Sequence, residues 1–278
     1  MSISIKNVDF QVGGKQILSD INIETMDSNF TVLIGPNGAG KSTLLNVLTG
    51  SLKGYKGLIE LNNKSLSDYS AIELSNMRAV MTQTYDIAFD FSVYDIVRMG
   101  TFPYESTLEN NEIAQIMNEV MDFVGITSFS DRNFLSLSGG EKQRVQLARV
   151  LTQLWYCEND FGCDSDRKNT ATDKRYLILD EPLSSLDIFH QYNIMSLCDS
   201  LKNRNISVLA VVHDLAIAAS FAEQVVLMSE GRVLATGTSQ EVLTVENMNL
   251  VYKIDAEISQ ISASSFPSLT VNKNQAMI

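Results

Sequence analysis

The chain has 278 residues, of which 45% are hydrophobic and 19% charged, so it can bury the core of one large domain or two modest ones. Four prolines and fifteen glycines are too few for a low-complexity or fibrous protein. The formal net charge of −12 argues against a nucleic-acid backbone as the main partner, because binding phosphates requires clustered cations.

The first half of the chain alternates short β-rich segments with glycine turns and amphipathic stretches. Strands are predicted at residues 2–10, 17–24, 30–34 and 57–61. A helix is predicted to begin at Lys41, and further helices are predicted at residues 70–77, 108–124 and 141–155. No stretch reaches the ~18 consecutive apolar residues of a membrane span, and the N-terminus lacks the apolar run of a signal peptide. We therefore expect a cytosolic chain that contacts a membrane only through another subunit.

The second half favours a parallel sheet. Two fully apolar strands are predicted at residues 176–179 and 207–212, with a helix at residues 191–202 between them, which is typical of βαβ units. A late hairpin is predicted, with arms at residues 225–228 and 233–235. Residues 157–175 are polar without periodicity and are interpreted as a surface insertion, and the composition beyond residue 254 is that of a tail.

A phosphate-binding pattern follows the strand at residues 30–34. Residues 35–43, here called the phosphate loop, read GPNGAGKST and match G-x-x-x-x-G-K-[ST] between a predicted strand and a predicted helix, a context that an ordinary glycine turn does not require. In such a loop, backbone N–H groups and the helix dipole hold phosphates, the lysine reaches the β- and γ-phosphates, and the serine ligates Mg²⁺. The candidate residues are Gly35, Pro36, Asn37, Gly38, Ala39, Gly40, Lys41, Ser42 and Thr43.

Two adjacent carboxylates, Asp180 and Glu181, come directly after the apolar strand at residues 176–179. The carboxyl edge of a parallel sheet is where ligands bind, so we prefer a chemical role for this pair over a solvated turn. Asp180 is expected to hold Mg²⁺, and Glu181 is expected to orient and polarise the attacking water.

A second glycine turn, LSGGE, opens the helix predicted at residues 141–155 and offers another anion-binding helix terminus. The order of phosphate loop, LSGGE and carboxylate pair resembles that of ATP-binding cassette (ABC) proteins, over roughly residues 2–243. Gln83, the sequence SSLD at residues 184–187, and His213 match further motifs of that family. The LSGGE residues, here called the signature segment, are Leu137, Ser138, Gly139, Gly140 and Glu141.

The resemblance implies an α/β fold, namely a P-loop NTPase ABC nucleotide-binding domain. Such a domain has a RecA-like core with a parallel sheet, an antiparallel β subdomain and a helical lobe that carries the signature segment. The implied boundaries are residues 1–83 and 176–250 for the core with its β subdomain, 84–156 for the lobe, 157–175 for the insertion and 251–278 for a C-terminal tail.

The resemblance also implies that two copies of the chain meet head to tail. Each ATP would lie between the phosphate loop of one copy and the signature segment of the other. Gln83 would sense Mg²⁺ and the water, His213 would contact the γ-phosphate, and Asp187 would communicate across the dimer. A core histidine is the alternative for His213, and His190 is interpreted as structural. The implied Mg²⁺ ligands are Ser42, Gln83 and Asp180.

One departure from the family concerns the nucleotide base. ABC proteins often stack adenine on an aromatic residue at the position where this chain has Val12. Phe10 is the nearest aromatic substitute, and the alternative is that the base rests on aliphatic surface. Selectivity for ATP over GTP therefore stays open.

Among ABC proteins, the local sequence favours an importer. DNA-repair members carry a long coiled coil, translation members usually carry two cassettes, and fused exporters carry membrane spans. Residues 81–100 resemble importers of haem, siderophores and cobalamin, and residues 144–155 with the insertion after them resemble the haem-importing members. An ATPase for a siderophore or cobalamin, and a soluble ABC ATPase without a transport role, are the alternatives.

The implied partners are a second copy of this chain, two copies of a polytopic membrane permease and, through the permease, a periplasmic or extracellular substrate-binding protein. Nucleic acid is not expected. The implied location is peripheral, on the cytoplasmic side of the inner membrane. Three apolar residues flanking Gln83 are candidates either for a groove that accepts a permease helix or for the core of the lobe. They are Ile87, Phe89 and Phe91.

Overall fold

The computed structural model describes residues 3–26, 29–82, 87, 89–155, 174–184 and 186–253, and the backbone of residues 256–260 and 267–271. The chain folds as two compact units, the first comprising Met1–Asp68 and Ser207–Ile278 and the second Tyr69–Ile206. The predicted domain boundaries stay predictions. Within the described ranges, no helix is both long enough and apolar enough to cross a membrane.

The described residues form the following strands and helices. The strands are β1 (Ile3–Val12), β2 (Lys15–Glu24), β3 (Phe30–Ile34), β4 (Lys56–Leu61), β5 (Lys64–Ser65), β6 (Arg78–Met81), β7 (Arg175–Asp180), β8 (Ile206–Val211), β9 (Gln224–Ser229), β10 (Arg232–Gly237), β11 (Ala256–Gln260) and β12 (Pro267–Val271). The helices are α1 (Lys41–Leu48), α2 (Ala71–Met77), α3 (Val93–Arg98), α4 (Asn110–Val124), α5 (Gly139–Trp155), α6 (Ile188–Ser200), α7 (Leu215–Phe221), α8 (Ser239–Val242) and α9 (Val245–Tyr252).

Parallel strands form the centre of the first unit. β3 pairs in parallel with β8 on one side and with β9 on the other, and β10 returns antiparallel to β9. Every residue of β3 and β8 is buried, as expected for strands that are covered on both faces. The predicted α/β class is confirmed.

The first unit also contains an antiparallel sheet, with the strand order β2-β1-β4-β5. The side chains of β2 alternate between buried and exposed along Ile21 to Glu24, as in a sheet with one face in a core. Beyond residue 254, where the composition predicts a tail, β11 and β12 pair antiparallel with Ala256 opposite Val271.

The second unit is built around the long helix α5. Its apolar side packs against α3 and α4, and the buried residues of α4 recur at the helical spacing that predicts them. The end of α5 is fixed by Trp155, whose Nε1 donates to Glu119 Oε2 over 3.0 Å. In the same unit β6 and β7 pair in parallel, with Met81 opposite Leu179.

Candidate functional site

The phosphate loop joins the buried strand β3 to helix α1 in the first unit. Gly40 directly precedes α1 with a φ of 98°, and a Cβ there would lie 2.9 Å from the Leu18 side chain, so the position requires glycine. The turn between β9 and β10 braces the loop, because the Gly231 N–H donates to the Ala39 carbonyl over 3.1 Å. The loop backbone is thus held in one shape by a strand, a helix and a turn.

The ammonium group of Lys41 lies inside this loop. Its Nζ donates to the carbonyl oxygens of Gly35 at 2.8 Å and Pro36 at 3.0 Å, and the residue is only 5% exposed. A buried ammonium group needs acceptors, and charged phosphate oxygens are stronger acceptors than carbonyls. The loop therefore presents a cation and a helix N-terminus to the same anion, with Ser42 and Thr43 in the first helical turn.

His213 lies at the same sheet edge as the start of the phosphate loop. β8 runs parallel to β3, and the Val212 N–H donates to the Leu33 carbonyl over 3.2 Å, just before Gly35. His213 is exposed, which excludes a histidine buried in the core. The following residue, Asp214, fixes the start of α7 by accepting two backbone N–H groups of its first turn.

Asp180 and Glu181 stand at the end of β7 in the second unit. The four residues before them are buried, whereas both carboxylate residues are half-buried. Glu181 has a φ of 50°, a left-handed conformation that is uncommon for glutamate and persists where the surrounding structure imposes it. The parallel neighbour β6 ends at the same edge, opposite Leu179. Gln83, which follows β6, lies outside the described residues.

The signature segment forms the first turn of α5. The Ser138 N–H donates to Glu141 Oε2 at 2.8 Å, and the Glu141 N–H donates back to Ser138 Oγ at 3.4 Å, which is a reciprocal capping box. The Ser138 hydroxyl also donates to the same carboxylate at 2.7 Å, and this bond, together with the backbone one, lowers the pKa of Glu141. Ser138 and Gly139 are exposed, whereas Gly140 is buried. The start of α5 is therefore exposed to solvent at Ser138 and Gly139.

Two residues with contacts that the sequence analysis did not predict lie near the segment after Glu181. Gln143 is 9% exposed, and its Nε2 donates to the Pro182 carbonyl. His190 donates its backbone N–H to Asp187 Oδ1 at 2.9 Å, so that Asp187 caps α6. Gln143 could have been found as a polar residue on the buried face of a predicted helix, because a buried amide needs a partner. The cap at Asp187 is a local signal of a helix start, whereas nothing in the sequence signals the contact of the His190 ring with Arg144.

A third missed residue belongs to the last helix of the first unit. Tyr252 ends α9 and hydrogen-bonds with the backbone of Gly35, the first residue of the phosphate loop. Burial raises the pKa of the Tyr252 hydroxyl to about 12, so the hydroxyl stays protonated at neutral pH. The position falls in the predicted tail, where composition gives no reason to expect a contact with the loop.

The two candidates for the base contact differ in exposure. Phe10 is 6% exposed, so its ring offers no face to a base and the predicted substitution of this aromatic is wrong. Val12 is 56% exposed at the end of β1. Of the two alternatives, the aliphatic surface is the one that the described residues support.

Two of the three expected Mg²⁺ ligands, one in each compact unit, carry oxygen donors. Ser42 supplies a hydroxyl and Asp180 a carboxylate, both hard ligands of the kind that Mg²⁺ prefers. Where side chains are described, no three His, Cys, Asp or Glu residues gather into a metal-binding cluster.

Comparisons with known proteins place these features in one family. Residues 18–154, which include the phosphate loop and the signature segment, match the family model described as ABC transporter. The hemin import ATP-binding protein HmuV of Pseudoalteromonas translucida (strain TAC 125) is 41% identical over 263 residues, covering 95% of this chain and 97% of that protein. The protein of the same name from Escherichia coli O157:H7 is 37% identical, covering 97% and 99%.

A solved structure with a similar fold is cbiO1 from Clostridium perfringens, part of the ABC transporter complex cbiONQ. It superposes with a TM-score of 0.74 at 28% identity, covering 89% of this chain and 94% of that one. The similarity therefore extends across most of both chains.

Proposed function

The chain belongs to the ABC transporter family, and from this premise we propose that it hydrolyses ATP to power the import of hemin through a separate membrane permease. The observation that carries the proposal is the match to hemin import ATP-binding proteins over nearly the whole length of both chains. The buried lysine of the phosphate loop supports the ATP-binding part independently.

In the proposed reaction, the oxygen of a water molecule attacks the γ-phosphorus of ATP, and the bond to ADP breaks. Lys41 exchanges the carbonyls of its own loop for β- and γ-phosphate oxygens. Glu181 orients the water and accepts its proton, and His213 contacts the γ-phosphate from the end of β8. Ser42 and Asp180, with Gln83, would hold Mg²⁺, which when bound neutralises charge on the β- and γ-phosphates.

The signature segment completes the ATP site of a second copy in this proposal. Its exposed serine and glycine turn would donate hydrogen bonds to the γ-phosphate of the opposite chain, and Asp187 would communicate between the copies. Ser138 has a single O–H proton, which it gives to Glu141 here. Contact with a phosphate therefore requires the hydroxyl to exchange the carboxylate for a phosphate oxygen.

We place the proposed subunit on the cytoplasmic side of the inner membrane, bound to two copies of a permease that receives hemin from a binding protein. Phe89 is 73% exposed and lies edge-on to Phe91, with ring centroids 6.3 Å apart. An exposed aromatic ring packed on a half-buried one supports a groove for a permease helix over a lobe core.

The proposal is tested by rebuilding the transporter in vesicles with its permease and binding protein. We expect ATP hydrolysis to rise when the binding protein is loaded with hemin, and hemin to accumulate inside the vesicles. An equal rise in ATP hydrolysis with a ferric siderophore or with cobalamin would contradict the assignment of hemin as the cargo. Failure to bind any polytopic membrane subunit, together with binding to ribosomes or DNA, would instead support a non-transport ATPase.

Replacing Val12 by Tyr tests the base contact. Wild type is expected to bind ATP and GTP with similar affinity, because an aliphatic side chain offers neither stacking nor hydrogen bonds that tell the bases apart. The new ring is expected to tighten binding of both nucleotides by about 5- to 150-fold, since base stacking on an aromatic contributes about 1–3 kcal/mol for any base. Calorimetric titration of each nucleotide measures both effects.

Leu58→Tyr is the matched control for Val12→Tyr. Leu58 is 38% exposed in the same antiparallel sheet. A tyrosine there adds an exposed ring at a position where no nucleotide base is expected. The control is expected to bind both nucleotides as wild type does. A strong preference of wild type for ATP, or no gain in Val12→Tyr, would remove Val12 from the base contact.

A further inference from the structure

The buried glycine of the signature segment lies directly against the imidazole ring of His190. A Cβ added to Gly140 would lie 3.0 Å from His190 Cδ2, 3.1 Å from Cγ and 3.3 Å from Nε2. Real Cβ atoms rarely approach other atoms this closely, so any larger residue at this position must displace the ring. The neighbouring Gly139 differs, because a Cβ there would meet nothing within 4 Å. A side chain at position 140 therefore crowds a neighbour within its own chain, whereas one at position 139 does not.

The His190 ring is also held from two other directions. Arg144, one turn along α5 from Gly140, places Nη2 3.4 Å from His190 Nδ1. The ring of Phe189 lies edge-on to the imidazole, with centroids 5.5 Å apart. Moving the imidazole away from Gly140 disturbs both contacts. The space beside the glycine is thus bordered by a half-buried imidazole that contacts both Arg144 and Phe189.

The backbone of His190 contacts Asp187, just as its ring contacts the signature segment. The His190 N–H donates to Asp187 Oδ1 at 2.9 Å, which fixes the start of α6 and the residue expected to communicate between copies. Gln143 adds a parallel link from α5 to the carbonyl of Pro182. One histidine therefore touches the signature turn with its ring and Asp187 with its backbone.

We propose that His190 is a positioning residue for ATP hydrolysis, which sets the spacing between the signature turn and Asp187 and makes glycine necessary at position 140. The proposal rests on the proposed function, in which the signature segment and Asp187 both serve the ATP site that two copies share. His190 touches no substrate in this role. It acts through Gly140 and Asp187, whose positions decide whether the two copies can close correctly around the shared ATP.

Suppression by a second substitution tests the contact. Gly140→Ala is expected to lower kcat for ATP by about tenfold or more with KM little changed, because overpacking shifts the turn while the phosphate loop is untouched. His190→Ala removes the ring, so the double variant Gly140→Ala/His190→Ala is expected to rise from the kcat of Gly140→Ala to that of His190→Ala alone. Gly139→Ala is the control, because a Cβ at position 139 does not contact His190. Adding His190→Ala to Gly139→Ala is therefore not expected to raise kcat.

Comparing His190→Asn with His190→Ala shows whether the side chain at position 190 positions its neighbours or only fills space. His190→Asn places a carbonyl oxygen where Nδ1 accepts from Arg144, so it is expected to keep a kcat closer to wild type than His190→Ala does. Thermal unfolding of every variant shows whether a loss of kcat is a loss of fold. This comparison also stands if Gly140→Ala fails to fold.

Two results would overturn the proposal. The first is a Gly140→Ala variant that is fully active or is not improved by His190→Ala. The second is an equal kcat in His190→Asn and His190→Ala. The proposed function fails in a different way, since wild type itself would then not hydrolyse ATP or would be indifferent to Lys41→Ala.

Discussion

Replacing Glu181 by Gln is expected to leave ATP binding intact and to lower the rate of hydrolysis by about 10²- to 10⁴-fold, the usual contribution of a positioned general base. Glutamine has nearly the shape of glutamate, so the left-handed backbone at φ 50° keeps its surroundings. It cannot accept a proton from water. ATP should therefore stay bound and hold two copies of the chain together, which size-exclusion chromatography with multi-angle light scattering detects.

Glu230→Gln is the matched control for Glu181→Gln. Glu230 is a second glutamate in a left-handed conformation, at φ 49°, and it is exposed in the turn between β9 and β10. We expect the control to hydrolyse ATP at the wild-type rate. If Glu181→Gln also turned over normally, the water-activating role would have to be given to another group.

Replacing Lys41 by Ala is expected to weaken ATP binding itself. The buried ammonium group is the cation held inside the phosphate loop, and a hydrogen bond to a charged partner contributes about 1.5–3 kcal/mol, which corresponds to about a 10- to 150-fold rise in Kd. Hydrolysis is then expected to fall even at saturating ATP, because the lysine also neutralises charge that develops on the γ-phosphate.

Thermal unfolding with and without ATP provides a second readout for Lys41→Ala. A ligand that binds only the folded state raises its stability, by about 2.7 kcal/mol at a concentration one hundred times Kd. Wild type and the exposed-lysine control Lys53→Ala are expected to gain stability with ATP, whereas Lys41→Ala gains much less. An unchanged Kd in Lys41→Ala would contradict the phosphate-binding role of the loop.

Segments with a strong local signal were predicted well from the sequence. β3 has the predicted bounds because five consecutive buried residues are stopped by Gly35, and α1 begins at Lys41 because Gly40 supplies the left-handed turn before it. The hairpin of β9 and β10 was predicted from its turn sequence and apolar arms.

The missed elements are those whose stability comes from distant partners. β6 has only four residues and exists because it pairs with β7, almost a hundred residues later. β11 and β12 were missed for another reason, because they pair with each other locally but their polar composition hides the strands. α3 is different, because its capping box between Ser92 and Asp95 is a local signal that could have revealed it.

The candidate site likewise has parts that the sequence shows locally and parts that depend on contacts between distant residues. Binding phosphate through backbone groups needs glycine at fixed spacing, so the phosphate loop and the signature segment are visible in the sequence. The contacts of Gln143 and His190 join residues 39 and 46 positions apart, and no local pattern encodes them. The structure supplies those links, and with them the reason why Gly140 differs from Gly139.

The sharing of each ATP site between two copies of this chain is tested most directly by mixing two inactive variants. Ser138→Arg places a bulky cation in the exposed signature turn, and Lys41→Ala disables the phosphate loop. In a mixed dimer, one shared site carries both lesions and the other carries neither.

ATP hydrolysis and ATP-dependent dimer formation, followed by light scattering, are measured for each variant alone and for the mixture. If the site is shared, both variants are inactive alone and the mixture regains activity and forms dimers. If each chain hydrolysed ATP within itself, the mixture would stay as inactive as its components while wild type did both, and the sharing of the site would be contradicted.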